Sequence, residues 1–204
     1  VQTCALPILT TKIKIGLLGD MSVGKTCIVQ RFCYHTFKDL YESTIGIEIC
    51  DKEVTVDGET YPLQIWDTAG QERFRSISRV FFNDIKGIFI VFSLDNMESL
   101  QHCKDWLDDF YSVVDQSKNI PVVLVGNKLD LITDEGAVRI PEDVIKKFVS
   151  ANDIPLYVET SSKKDINIDS AFQEMMSIII KRNLHVNEEN KEVIDITQHT
   201  ESAE

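Results

Sequence analysis

The stretch Gly19-Asp20-Met21-Ser22-Val23-Gly24-Lys25-Thr26 decides the fold of this 204-residue chain, because it has the G-x-x-x-x-G-K-[ST] pattern of a phosphate-binding loop. Gly19 and Gly24 allow backbone N–H groups to surround a phosphate, and the amino end of a following helix favours the anion. Lys25 adds a positive charge, and Thr26 offers a hydroxyl to a magnesium ion. The pattern therefore predicts a nucleoside triphosphate site.

The residues on either side of the loop predict a strand before it and a helix after it. The run from Ile13 to Leu18 is almost wholly apolar, which is typical of a strand buried on both faces. After the loop, apolar residues recur at helical spacing. They predict a helix from about Lys25 to Tyr34, with Ile28, Val29, Phe32 and Cys33 on its apolar face.

The remaining sequence alternates strand and helix patterns. Two runs, Ile45 to Val56 and Thr60 to Trp66, are joined by Asp57-Gly58, which suits a type I′ turn and predicts an antiparallel hairpin. The alternation predicts an α/β fold with a doubly wound, mostly parallel six-stranded sheet, in which this hairpin forms one edge. Further strands are expected at 87–94, 121–125 and 154–159, and helices at 97–114, 141–150 (with Pro141 in the first turn) and 168–182.

Composition indicates one globular domain at residues 9–183, since 43% of residues are hydrophobic and 26% are charged. Residues 1–8 lack periodicity, and the DNA sequence GTTCAGACGTGTGCTCTTCCGATC, which resembles a sequencing adapter, translates to them. We hypothesise that they are a non-native leader. Residues 184–204 contain six acidic residues against Lys191 alone, and we expect this tail to be disordered.

Charge and cysteine content limit the possible partners. The net charge of −12 argues against nucleic-acid binding and against a polybasic membrane anchor. The five cysteines show no C-x-x-C spacing, so neither a disulfide framework nor a zinc site is expected. A reducing, cytosolic setting fits this composition best.

Trp66-Asp67-Thr68-Ala69-Gly70-Gln71-Glu72 follows the second hairpin strand and has residues suited to the chemistry of a terminal phosphate. Asp67 is placed to hold magnesium, and Gly70 allows a backbone N–H to approach the phosphate. Gln71 could orient an attacking water. A strand end followed by a polar turn is the alternative interpretation, which the nearby phosphate-binding loop disfavours.

Two further loops follow later strands. In Asn127-Lys128-Leu129-Asp130, the Asp130 carboxylate can accept hydrogen bonds from N1–H and the 2-amino group of guanine, which adenine does not offer. Ser161-Ser162-Lys163 could offer a backbone N–H to the guanine O6 and a lysine stem to the base. A helix-capping turn explains this second loop equally well.

Together, these motifs resemble the Ras superfamily of small GTPases and, within it, the Rab family. The resemblance extends from about Lys12 to Arg182, and WDTAGQERFRSI (Trp66 to Ile77) is its most specific run. It implies that Gln71 is catalytic and that Thr26, Thr44 and Asp67 hold Mg²⁺. It further implies that GTP and GDP bind to Ser22, Val23, Gly24, Lys25, Thr26, Cys27, Phe37, Thr44, Gly70, Asn127, Lys128, Asp130, Ser161, Ser162 and Lys163.

The resemblance also implies an exchange factor, a GTPase-activating protein and effectors, which bind through Thr44 to Ile49 and Gly70 to Phe82. Ile49 stands where the family usually has an effector-facing aromatic residue. Rab chains usually end in prenylated cysteines, whereas no cysteine follows Cys103 here. We therefore expect a cytoplasmic protein, located on the cytosolic face of endomembranes if a lipidated C-terminus is missing from this chain. A role in vesicle or membrane trafficking is implied.

Two other functions are open at this point. A GTP-binding scaffold with little or no turnover is suggested by Met21 in the phosphate-binding loop and by the missing lipidation site. Gln71, Thr44 and Asp67 favour hydrolysis instead. A P-loop ATPase or small-molecule kinase is disfavoured by Asp130 and by the lack of a lid-like arginine cluster.

Overall fold

The computed structural model describes residues 12–38, 44, 46–68, 82, 84–115, 119–132 and 138–182. Its strands are β1 (Ile13–Leu18), β2 (Ile47–Val56), β3 (Glu59–Thr68), β4 (Ile85–Ser93), β5 (Val122–Asn127) and β6 (Leu156–Glu159). Its helices are α1 (Lys25–Tyr34), α2 (Met97–Val113), α3 (Glu142–Ala151) and α4 (168–182), with a 3₁₀ turn at Leu129–Ile132.

The six strands form one sheet in the order β2-β3-β1-β4-β5-β6. Every neighbouring pair is parallel except β2 and β3, which are antiparallel at the edge. The predicted doubly wound sheet with one antiparallel edge hairpin is confirmed. Because the parallel strands share a direction, the loops after β1, β3, β4, β5 and β6 meet at one edge of the sheet.

Helices cover both faces of the sheet, which explains why the central strands are apolar without alternation. Helices α1 and α4 contribute to the core on one face, where the rings of Phe32 and Phe172 stack with their centroids 3.8 Å apart. Helices α2 and α3 contribute to the core on the other face through residues such as Leu107, Phe110 and Ile145. The two cores pack against both faces of the sheet and so position the strand ends beneath the connecting loops.

The hairpin between β2 and β3 turns at Asp57 and Gly58, as predicted. Their φ angles are 51° and 86°, and a type I′ turn requires positive values at both positions. The resulting register pairs Val56 with Glu59 and Ile47 with Thr68. This register brings the segment that precedes β2 next to the carboxyl end of β3.

Helix α3 begins one residue later than its sequence pattern predicted. Pro141 is the N-cap residue rather than part of the first turn, because its ψ of 136° is extended and not helical. The first turn instead carries Glu142 and Asp143, which interact favourably with the amino end of the helix dipole.

A disulfide joins Cys33 of α1 to Cys50 of β2, so the expectation that the cysteines form no disulfide was wrong for this pair. The residues are 17 positions apart in sequence and their Cα atoms are separated by 6.9 Å. Lys52 strengthens the same contact, since its Nζ donates to the Phe32 carbonyl and lies over the Phe32 ring. Packing of α1 on β2 brings the sulfurs together, and cysteine spacing contains no information about that packing.

Substituting Cys33→Ser should lower the free energy of unfolding of the oxidised protein by about 3 kcal/mol, because the cross-link restricts the unfolded chain. For a chain of this size the corresponding fall in Tm is about 6–12 °C. Thermal unfolding should be followed for parent, Cys33→Ser and Cys50→Ser, each with and without reductant. Reductant should lower the parent Tm to that of the variants and leave the variants unchanged. A parent Tm that does not respond to reductant, together with an unchanged free-thiol count, would contradict the disulfide.

Candidate functional site

The phosphate-binding loop connects the end of β1 to the first residue of α1. Gly19 and Gly24 have φ angles of 139° and 100°, which residues with a side chain rarely adopt. A Cβ at Gly19 would lie 2.2 Å from the Val91 carbonyl oxygen, and one at Gly24 would lie 2.3 Å from Asn127 Nδ2. Because Gly24 is the N-cap residue and provides no side-chain cap, N–H groups in the first turn of α1 can donate to an anion.

Lys25 is buried within the loop, with only 5% of its surface exposed. Its Nζ donates to the carbonyl oxygens of Gly19 and Asp20, both at 2.7 Å. Burial lowers the pKa of Lys25 to about 8, although the charges of Asp67 and Asp20 oppose the shift. An anion at this position would stabilise the ammonium form, as expected for a phosphate ligand.

Three oxygen-bearing side chains meet beside Lys25. Thr26 Oγ1 donates to Asp67 Oδ2 at 2.5 Å and lies 2.7 Å from the Thr44 hydroxyl. They come from α1, from the end of β3 and from the segment before β2. Thr68, the residue after Asp67, donates to the Leu17 carbonyl at 2.6 Å and so fixes the end of β3 against β1.

This cluster fits a divalent cation. Asp67 is 1% exposed, and its Oδ1 is one of two buried side-chain polar atoms without a hydrogen-bond partner among the described residues. Burial raises the pKa of Asp67 to about 6, whereas the Thr26 hydrogen bond and the Lys25 charge lower it. A buried carboxylate oxygen beside two hydroxyls is a suitable set of donors for Mg²⁺, which prefers oxygen ligands.

Asn127, at the end of β5, connects the phosphate-binding loop to the loop after β6. Its Nδ2 donates to the Val23 carbonyl at 3.0 Å. Its Oδ1 accepts from Thr160 Oγ1, Ser162 N and Ser162 Oγ at 3.1–3.3 Å. Asn127 is 2% exposed, so its carboxamide serves to hold three loops in one arrangement.

Asp130 lies in the 3₁₀ turn after β5, where Ser161 Oγ donates to its Oδ1 at 2.5 Å. The backbone continues this pairing, because Leu129 N donates to the Thr160 carbonyl at 3.0 Å. Lys128, which lies between Asn127 and Leu129 in the sequence, has a left-handed φ of 66°. The two predicted base-recognition loops therefore form one connected unit at the carboxyl edge of the sheet.

The loop after β6 is held partly by residues that the sequence patterns did not indicate. Arg31 of α1 donates from Nε to the Ser162 carbonyl at 2.8 Å and from Nη2 to the Lys163 carbonyl at 3.2 Å. Thr160 was also missed, although it directly precedes Ser161-Ser162-Lys163. Ser161 and Ser162 are buried, whereas Lys163 is exposed.

Three other predicted site residues lie in or near the phosphate-binding loop and α1. Ser22 is exposed with a φ of 61°, Phe37 is half-buried beyond α1, and burial raises the pKa of half-buried Cys27. Gly70 and Gln71 lie outside the described residues. Phe82, at the end of the segment predicted to face partners, is instead 8% exposed and packs edge-to-face on Phe110, so its ring faces the core rather than a partner.

The chain is similar to known proteins over nearly all of the described fold. The model of the Ras family matches residues 14–181. A GTP-binding protein of Zea mays, YPTM1, is 40% identical over 168 residues, which cover 82% of this chain and 78% of that relative. Among the residues that the structure describes, no helix combines the length and apolar character needed to span a membrane.

Proposed function

The chain belongs to the Ras family, and from that premise we propose that its site binds GTP and GDP with Mg²⁺ and acts as a switch in vesicle or membrane trafficking. The chain is a Rab-like small GTPase, which hydrolyses GTP to GDP and phosphate. The observation that carries the proposal is the meeting of Thr26, Thr44 and Asp67 beside the phosphate-binding loop, with a buried Asp67 oxygen lacking a partner.

In this proposal the phosphates lie along Ser22 to Cys27, where backbone N–H groups and Lys25 offset their charge. Mg²⁺, when bound by Thr26, Thr44 and Asp67, supplies positive charge to the β- and γ-phosphates. Gln71 orients the water that attacks the γ-phosphorus, and Gly70 offers a backbone N–H. The bond to the β–γ bridging oxygen breaks, so that GDP and phosphate are released.

Guanine recognition is assigned to the unit after β5 and β6. Asp130 accepts from N1–H and the 2-amino group, and Ser161 holds that carboxylate at 2.5 Å. Asn127 joins this unit to the phosphate-binding loop through Val23, so the same side chain supports both ends of the nucleotide site. Lys128, Lys163 and Phe37 are assigned to packing around the base.

The switch is assigned to the segments around Thr44 and Gln71. Thr44 contacts Thr26 at the cation site, so loss of the γ-phosphate would release the segment that leads into β2. Ile49, on the edge strand β2 that follows this segment, is 51% exposed, which suits an apolar contact with an effector. We assign exchange and activating factors to the same two segments, and a location on endomembranes if the full-length protein is prenylated.

A single-turnover assay tests the proposed function. The protein is loaded with GTP, and GDP formation is followed with and without a GTPase-activating extract. Slow intrinsic hydrolysis that the extract accelerates is the expected result. Tight GTP binding without extract-stimulated hydrolysis would indicate the scaffold alternative, and exchange of the bound nucleotide for ATP would overturn the proposal.

Asp67→Asn should weaken the apparent affinity for Mg²⁺ by at least about tenfold, because it removes the buried carboxylate charge from the cation site. The dissociation rate of fluorescent GDP should be titrated with Mg²⁺ for parent and variant. Asp143→Asn, an exposed substitution on α3, is the matched control and should behave as the parent. An unchanged Mg²⁺ dependence in Asp67→Asn would remove Asp67 from the cation site.

A further inference from the structure

Asp20 of the phosphate-binding loop is bound by two side chains of α2, a contact that the motif pattern does not require. Its Oδ1 accepts from Trp106 Nε1 at 2.9 Å, and its Oδ2 lies 2.6 Å from His102 Nδ1. His102 and Trp106 are four residues apart and so lie on one side of the helix. Both carboxylate oxygens of Asp20 are therefore engaged by one rigid element.

Helix α2 is well suited to fix the loop, because it is itself firmly placed. Its amino end is capped by Asn96, whose side chain accepts from Glu98 N and Ser99 N. Its inner face is buried against the sheet through Leu100, Cys103, Leu107 and Phe110, and Trp106 is only 6% exposed. The Trp106 N–H is thus held in place by packing that does not depend on the loop.

Asp20 is the second residue of the phosphate-binding loop, directly after Gly19. Its carbonyl oxygen accepts from Lys25 Nζ at 2.7 Å, alongside the Gly19 carbonyl. Gly19 in turn lies against the backbone of Val91 in β4, and a side chain at Gly19 would collide with the Val91 carbonyl oxygen. A displacement of the Asp20 side chain would therefore move the carbonyl groups that position the phosphate-binding lysine.

We propose that Asp20, His102 and Trp106 form an anchor that positions the phosphate-binding loop, and that the charge on His102 controls how long bound GDP is held. This inference rests on the proposed function of the loop. Asp20 and His102 are positioning residues, since they act through the loop backbone and through charge. No motif of the sequence assigns this role to them.

The electrostatic part of the anchor follows from the groups that face His102. In the described part of the chain these are Asp20 from the loop and Glu98 and Asp105 from α2. The hydrogen bond with Asp20 raises the pKa of His102, partial burial opposes the shift, and the three acidic charges add to it. When His102 is protonated it offsets the Asp20 charge close to the phosphates.

The direction of the pH effect follows from this raised pKa. Below it, His102 is charged, the ion pair is formed and GDP is retained. As the pH rises through it, His102 becomes neutral and the Asp20 charge repels the phosphates, so GDP release should accelerate. A half-exposed ion pair is worth up to about 1 kcal/mol, which corresponds to an acceleration of about twofold to fivefold.

Fluorescent GDP dissociation at saturating Mg²⁺ between pH 5.5 and 8.5 tests the anchor. The parent rate should rise with pH, whereas His102→Gln, which keeps a neutral hydrogen-bond donor, should give a flat profile. Glu98→Gln is the matched control, because Glu98 is exposed and its carboxylate lies 3.9 Å from the other nitrogen of His102. It should keep the rise of the rate with pH, with the midpoint moved to slightly lower pH, because one of the acidic charges that raise the His102 pKa is removed. Trp106→Phe should release GDP faster at every pH and keep the pH dependence.

A second measurement does not depend on nucleotide affinity. Titration of the histidines by NMR should show a raised His102 pKa in the parent and a lower one in Asp20→Asn. Identical GDP-release profiles for parent and His102→Gln, or a His102 pKa unaffected by Asp20→Asn, would overturn the anchor. Failure of the parent to bind GDP at all would instead overturn the proposed function.

Discussion

Asp130→Asn should lower the affinity for GTP by about 10³- to 10⁴-fold and shift preference towards xanthine nucleotides. The carboxylate is assigned to accept two hydrogen bonds from guanine, and a site built for polar groups strongly disfavours a base that leaves them unpaired. Asparagine offers one donor and one acceptor, which match the 2-oxo group and N1–H of xanthine. Competition binding with GTP, XTP and ATP gives the measurement.

Ser161→Ala is the matched control for Asp130→Asn. It removes the hydroxyl that donates to Asp130 at 2.5 Å but leaves the carboxylate in place. The affinity for GTP should fall by about 10- to 150-fold at most, with guanine still preferred, since a hydrogen bond to a charged group is worth about 1.5–3 kcal/mol. If Asp130→Asn still preferred GTP over XTP, guanine recognition would have to lie elsewhere.

Gln71→Leu should lower extract-stimulated GTP hydrolysis by at least about 10²-fold while leaving GTP affinity nearly unchanged. The substitution removes the amide assigned to orient the attacking water, and the phosphate ligands on the loop after β1 remain. Stimulated hydrolysis depends on this positioning most strongly, because catalysis of phosphoryl transfer consists almost entirely of positioning and charge stabilisation. Single-turnover assays with the extract should measure the stimulated rate of hydrolysis for parent and variant, and equilibrium binding should measure their affinities for GTP.

Gln64→Leu offers the same chemical change outside the site. Gln64 lies on β3, where it bonds to Asp51 and Trp66, and its loss should not alter hydrolysis. Hydrolysis of GTP by Gln71→Leu at the parent rate would show that another group orients the water. Equal losses in both variants would indicate a general effect on folding rather than on chemistry.

The fold was predictable because its decisive features are local in sequence. The loop from Gly19 to Thr26 lies between an apolar strand and a helical pattern, and Asp57-Gly58 sets the hairpin turn through two positive φ angles. The predicted bounds of the strands and helices differ from those in the structure by a few residues. At Pro141, for example, the backbone angles rather than the residue type decide where the helix begins.

The candidate site was predictable for a related reason. Asp67 and Asn127 lie at the carboxyl ends of β3 and β5, and Ser161 follows β6, so the parallel strands place all three at a common edge. The individual contacts were not predictable. Phe82 lies at the end of a partner-facing pattern but is buried against Phe110, since its surroundings depend on how α2 packs on the sheet.

By itself the sequence determined the loop from Gly19 to Thr26 and the order of strands and helices, because each depends on chemistry within a few neighbouring positions. Only the tertiary structure decided the pairing of Cys33 with Cys50 and the binding of Asp20 by His102 and Trp106. These contacts join residues 17, 82 and 86 positions apart. Cys33 meets Cys50 because α1 packs on β2, and Asp20 meets His102 and Trp106 because α2 packs on β4, the strand next to β1. No local pattern contains these packing arrangements.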